Sequence, residues 1–142
     1  MQPVRPKILF VDDHDDTRAL FSLILDQSNY EVVTSASMAG ALTLAETGTF
    51  DLFVLDSLLA DGTGLELCKR IRQTDHSTPI LFYSALAFDK DKNEAIRSGA
   101  QRYLVKPVDI PVLCNTVAEM LRVSEESNGH RNGNGSSQLA AK

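Results

Sequence analysis

Short apolar runs alternate with segments of helical periodicity from residue 7 onward, and that rhythm restricts the fold more than any other feature. The runs occupy residues 7–12, 31–35, 50–55, 80–84 and 103–105. Each is followed by a stretch long enough for a helix. Strands joined by helical crossovers lie parallel, because a hairpin cannot return the chain in the same direction. Three of the runs are almost continuously apolar, as in Phe50-Asp-Leu-Phe-Val-Leu-Asp56, which is the pattern of strands covered on both faces. The expected fold class is therefore α/β, a five-stranded parallel sheet, doubly wound, with helices on both faces.

The chain of 142 residues has room for one complete core and no second domain. A formal charge of −5 gives no general attraction to nucleic acid or to anionic membranes, so direct nucleic-acid binding is not expected. Near the N-terminus the only apolar run is Ile8-Leu9-Phe10-Val11, far short of a signal segment or a membrane span. A cytoplasmic location is the expectation. Cys68 and Cys114 lack metal-site spacing and sit among apolar neighbours, so both are read as buried thiols.

Within the first helix, residues 16–26, the sequence places Leu20, Leu23 and Ile24 on one stripe; Leu65, Cys68 and Ile71 do the same in the third. Residues 89–98 are polar apart from Ala95 and Ile96 and are expected to lie loosely on the surface. Asp109 fits the N-cap of the last helix, Pro111 its first turn, and Leu113, Cys114, Val117 and Leu121 its buried face. Three segments are expected: a frayed lead-in over residues 1–6, a folded domain over 7–124, and a disordered polar, glycine-rich tail over 125–142.

Parallel sheets gather functional groups at the carboxyl ends of their strands. Here those ends carry Asp12-Asp13, Asp56, Ser84-Ala85 and Lys106-Pro107. Three carboxylates from two strand ends form a hard-oxygen set suited to Mg²⁺. Lys106 adds a fixed cation and Ser84 a hydroxyl, the two groups that neutralise and hydrogen-bond phosphoryl oxygens. Taken singly, each has a plainer explanation: aspartates commonly cap helices and form turns, and a lysine at a strand end is usually a solvated charge. Their joint occurrence at four strand ends favours a phosphoryl site with Asp56 as acceptor. His14 beside the aspartates is read as a surface imidazole, and no histidine is given a role.

These residues resemble the receiver domains of two-component response regulators. The resemblance spans residues 7–121 and rests on Phe10-Val11-Asp12-Asp13, Val54-Leu55-Asp56, Ser84-Ala85, Gly99-Ala100 and Tyr103-Leu-Val-Lys106-Pro107, in that order. It implies a flavodoxin-like (βα)5 fold. It further implies that Asp56 takes a phosphoryl group from a sensor histidine kinase, or from a small acyl phosphate, with Mg²⁺ held by Asp12, Asp13, Asp56 and the backbone carbonyl of Leu58. Lys106 then pairs with a phosphoryl oxygen across a cis Lys106-Pro107 bond. Ser84 moves toward the phosphoryl group, Tyr103 swings inward after it, and partners read the surface around residues 89–98, Tyr103 and the last helix.

Three departures stand out. Ser57 follows Asp56 where receivers usually have an apolar residue, and Ala60 replaces the usual proline. Leu58, expected to overhang the site, is apolar where Met or Asn is common. The resemblance implies a phosphoacceptor rather than an enzyme with its own substrate, acting as a single-domain regulator through a downstream protein. A phosphorelay carrier to a histidine phosphotransfer protein would use the same site, whereas a phosphorylation-independent adaptor would bind no Mg²⁺. The run Asp13-His14-Asp15-Asp16-Thr17 also fits the DxDxT signature of haloacid-dehalogenase-like phosphatases. That family's late acidic pair is missing, since only Asp109 follows Lys106 closely.

Overall fold

A computed structural model describes the backbone of residues 5–137 and the side chains of residues 5–126. Five parallel strands, β1 (Lys7–Val11), β2 (Glu31–Ser35), β3 (Leu52–Leu55), β6 (Ile80–Ser84) and β7 (Arg102–Val105), form one sheet in the order β2-β1-β3-β6-β7. Two two-residue strands, β4 (Leu58–Leu59) and β5 (Gly62–Thr63), pair antiparallel in the loop after β3. The sequence pattern gives no hint of this hairpin, because two residues carry no periodicity. Helices α1 (Asp15–Gln27), α2 (Met38–Thr47), α3 (Gly64–Arg72), α4 (Asp89–Ser98) and α5 (Ile110–Ser137) complete the chain.

Alternation along each strand divides the core in two. Leu9, Val11, Phe53, Leu55, Ile80 and Phe82 face α2, α3 and α4, where Ala41, Leu67, Cys68, Ile71 and Ala95 meet them. Ile8, Phe10, Leu52, Val54 and Leu81 face α1 and α5, against Phe21, Leu25, Leu113, Val117 and Met120. Both faces of β1, β3 and β6 are thus covered, which explains their unbroken apolar runs.

Several helix faces differ from expectation. In α1 the buried residues are Phe21 and Leu25, with Ile24 partly buried, while Leu20 and Leu23 are exposed. The aromatic ring decides the phase: Phe21 stacks on Phe10 and meets Tyr83 edge-on, contacts that Leu20 cannot supply from the next position. In α3, Leu67 is buried with Cys68 and Ile71, and Leu65 is only half-buried. In α5, Met120 is buried, whereas Cys114 and Leu121 are half-buried, so Cys68 alone of the two free thiols is fully enclosed.

Backbone helix in α5 continues through Ser137, beyond the point where composition predicts loss of order. The remainder of the expected tail, residues 138–142, lies outside the described residues, as do residues 1–4 of the lead-in. The rest of that lead-in is tied down rather than frayed. Arg5 bonds Asp26 and the Tyr30 carbonyl, and the Pro6 carbonyl accepts from Glu31 N at 2.8 Å.

Candidate functional site

Strand order reverses between β1 and β3: from β1 the chain first moves out to β2, then returns to place β3 on the other side. In open parallel sheets such a reversal point, at the carboxyl ends of the strands, is where functional groups gather. Asp12 follows β1 and is buried, Asp56 follows β3 and is 6% exposed, and Asp13 stands at the rim. Carboxylate oxygens of Asp12, Asp13 and Asp56, together with a ring nitrogen of His14, lie within 4.8 Å of one another.

Lys106 reaches this cluster from the end of β7. Its Nζ lies 2.7 Å from Asp12 Oδ2 and 3.3 Å from Asp56 Oδ2, and 5.1 Å from the centroid of the Tyr83 ring. Burial pulls a lysine ammonium toward neutrality. Here the bonds and charges of Asp12 and Asp56 outweigh that and hold Lys106 above the ordinary lysine value. The same burial pushes the Asp56 carboxyl above the usual carboxylate range; Lys106 opposes the shift and the charge of Asp12 reinforces it. An ion pair ordinarily lowers an acid, yet Asp56 rises because the cost of burying its charge outweighs the pull of Lys106. The site is therefore anionic in excess of its one ammonium, which suits a cation.

Secondary bonds fix these groups. His14 N donates to Asp12 Oδ1 at 2.9 Å, and Arg18 Nη1 donates to the Asp12 carbonyl at 2.7 Å. Ser57 N donates to Asp56 Oδ1 at 2.7 Å. Gly64, the first residue of α3, packs against the backbone of Asp56: a Cβ there would lie 2.1 Å from the Asp56 carbonyl oxygen. The Lys106-Pro107 bond is cis, as expected. Leu58 lies in β4 with its side chain exposed, two residues past Asp56.

Ser84 and Tyr103, expected to act as a switch, have other partners. Ser84 is buried at the end of β6, and its Oγ accepts from Leu86 N at 3.1 Å; among the described residues it shares no hydrogen bond with Asp56. Tyr103 stacks on Phe82 with centroids 5.7 Å apart and planes at 4°, and its hydroxyl donates to the Leu86 carbonyl at 2.7 Å. That places the ring inward, toward the loop after β3, with Ser57 Oγ 3.4 Å from the same hydroxyl.

Sequence reading passed over three contributors. His14, a surface imidazole by sequence, is largely exposed, but its Nδ1 lies 3.0 Å from Asp12 Oδ1 and 3.2 Å from Asp13 Oδ1. Arg18 carried no signal, being one of several charges on an amphipathic helix. Ser57 carried a weak one, a hydroxyl next to Asp56. Asp15, the second aspartate of the phosphatase signature, opens α1 at the surface and pairs with Arg18.

The chain matches the response regulator receiver domain family over residues 8–118. It is 36% identical over 122 residues to the response regulator ArlR of Staphylococcus saprophyticus, covering 86% of this chain and 55% of that protein. It is 38% identical over 119 residues to the alkaline phosphatase synthesis transcriptional regulatory protein PhoP of Bacillus subtilis, covering 84% and 50%. The chain thus spans about half the length of the curated relatives it matches. Among solved structures, a CheY-like receiver domain protein from Methanospirillum hungatei superimposes with a TM-score of 0.85 at 26% identity, over 87% of this chain and 99% of that one. The chemotaxis protein CheY4 of Vibrio cholerae gives 0.79 at 32% identity, over 82% and 99%.

Proposed function

Because the chain belongs to the response regulator receiver domain family of two-component systems, we propose that Asp56 is its phosphoryl acceptor, charged by a sensor histidine kinase. The supporting observation is the placement of Asp56, a buried carboxylate 3.3 Å from Lys106 and within 4.8 Å of the Asp12 and Asp13 carboxylates. A carboxylate oxygen of Asp56 attacks phosphorus in line. The P–N bond of the donor phosphohistidine breaks, and the freed imidazole nitrogen takes the electron pair and is reprotonated.

Asp12, Asp13, Asp56 and the Leu58 backbone carbonyl are the candidates to hold Mg²⁺. Clustered carboxylates facing a single ammonium fit such an ion, which supplies charge neutralisation for the transferring phosphoryl oxygens. Lys106 neutralises one more phosphoryl oxygen from the opposite side, and the Ser84 hydroxyl donates to another after leaving Leu86 N. No substrate other than the phosphoryl donor is turned over. Output passes through the surface of α4, β7 and α5, which binds a downstream protein according to the state of Asp56. In this reading the regulator acts as a single domain, and immunoblotting of the native gene product at the size of this chain is the expected check.

Incubation with acetyl phosphate and Mg²⁺ followed by intact-mass measurement tests the acceptor. Wild type is expected to gain one base-labile phosphoryl group and Asp56→Asn none. A wild type that gains nothing, or an Asp56→Asn variant modified as fully as wild type, would overturn the assignment.

A further inference from the structure

Ser57 is a buried hydroxyl immediately after the acceptor, and among the described residues its only hydrogen-bond partner is the Tyr103 hydroxyl at 3.4 Å. Tyr103 donates its own proton to the Leu86 carbonyl at 2.7 Å, so its oxygen is the acceptor and Ser57 Oγ the donor. From the same residue, the Ser57 backbone N–H donates to Asp56 Oδ1 at 2.7 Å, and its carbonyl accepts from Gly64 N at 2.9 Å. One residue therefore touches the acceptor carboxylate through its main chain and the switch tyrosine through its side chain.

We propose that Ser57 is a positioning residue that holds Tyr103 inward and transmits the state of the Asp56 carboxylate to it. This rests on the reading of Asp56 as phosphoryl acceptor. Moving the ring outward would leave a buried hydroxyl without a partner, which folded proteins avoid. At 3.4 Å the bond is long for two hydroxyls, whose usual separation is about 2.7–2.8 Å. It biases the tyrosine without locking it. An apolar residue after the acceptor, which is the usual choice in this family, has no hydroxyl to offer, so the bias belongs to this chain's serine. When Asp56 Oδ1 changes its bonding, the Ser57 amide must follow, and the hydroxyl moves with it.

The test labels the protein with 3-fluorotyrosine and follows Tyr103 by ¹⁹F NMR, the resonance being identified by its loss in Tyr103→Phe. Without metal, Ser57→Ala is expected to lower the inward-to-outward ratio by roughly three- to fivefold, the effect of one modest neutral hydrogen bond. In a second measurement, Ser57→Ala is expected to weaken binding of Mg²⁺ with beryllofluoride by a similar factor in the Tyr103 background and to leave it unchanged in Tyr103→Phe. A packing role alone would shift both backgrounds equally. An unchanged ¹⁹F ratio in Ser57→Ala, or equal effects in the two backgrounds, would overturn the proposal. Should beryllofluoride fail to bind and acetyl phosphate leave no adduct, the acceptor reading falls, and the metal-free ¹⁹F comparison still decides the role of Ser57.

Discussion

Replacing Asp56 by asparagine should stabilise the fold at neutral pH in the absence of divalent cations. Lys106 lies 3.3 Å from Asp56 Oδ2, an attraction of about 5 kcal/mol at an effective dielectric of ~20. Asp12 and Asp13 present oxygens within 4.8 Å, so each repels Asp56 by about 3.5 kcal/mol on the same footing. Repulsion exceeds attraction by about 2 kcal/mol. Solvent at the exposed Asp13 trims this figure, and the burial of Asp56 adds to it. Asparagine keeps an oxygen for the Ser57 amide and removes the charge. A gain of about 1–3 kcal/mol is expected, or roughly 3–12 °C in Tm for a domain of this size.

The pH dependence has a definite sign. Burial raises the Asp56 carboxyl in the folded state, so folding favours its protonated form. The stability that this proton confers is fully present below the unfolded carboxylate pKa of about 3.9 and is lost as pH rises through the folded value. The advantage of Asp56→Asn over wild type should therefore be full at neutral pH and vanish as pH falls toward about 4. Urea unfolding of both proteins across this range, in EDTA, measures the difference. Added Mg²⁺ should narrow it by stabilising wild type more than the variant. An asparagine variant that is no more stable than wild type at neutral pH, or whose advantage grows as pH falls, would refute the electrostatic account.

Lys106→Met removes the one ammonium shared by Asp12 and Asp56 and should destabilise the protein by about 2–4 kcal/mol at neutral pH, slightly below the usual figure for a broken buried pair because Asp56 can take up a proton. Denaturant unfolding checks this, and a loss under about 1 kcal/mol would show that solvent already screens the cluster. Gly64→Ala drives a Cβ to 2.1 Å from the Asp56 carbonyl, a main-chain atom that cannot turn aside. A loss of about 1–3 kcal/mol or more is expected by calorimetry. Unchanged Tm would mean that the acceptor loop shifts freely.

Much of this architecture is written in the sequence because parallel strands covered on both faces must be apolar throughout. Residues 7–12, 31–35, 80–84 and 103–105 anticipate their strands to within one residue. The third strand begins at Leu52, two residues later than the apolar run suggests, since Phe50 is buried from the loop rather than from the ladder. Helix faces were less legible. In α1, leucines occupy both the buried and the exposed side, and only the stacking of Phe21 on Phe10 settles which one turns inward. The site's principal members were legible as chemistry at strand ends, whereas His14, Arg18 and Ser57 acquire partners only through contacts that no spacing rule encodes.

By itself, then, the sequence determined the sheet, its burial on both faces, and the gathering of Asp12, Asp13, Asp56, Ser84 and Lys106, because periodicity and strand-end position are local properties of the chain. Tertiary structure alone decided how charge is shared among them. Burial raises the carboxyl of the proposed acceptor, and Lys106, which lies nearer to Asp12 than to Asp56, does not fully offset it. It also decided that a serine hydroxyl beside Asp56 meets a tyrosine brought in from another strand. Differences of tenths of an ångström in the spacing of groups far apart in the chain set these energies, and that spacing exists only once the strands have packed.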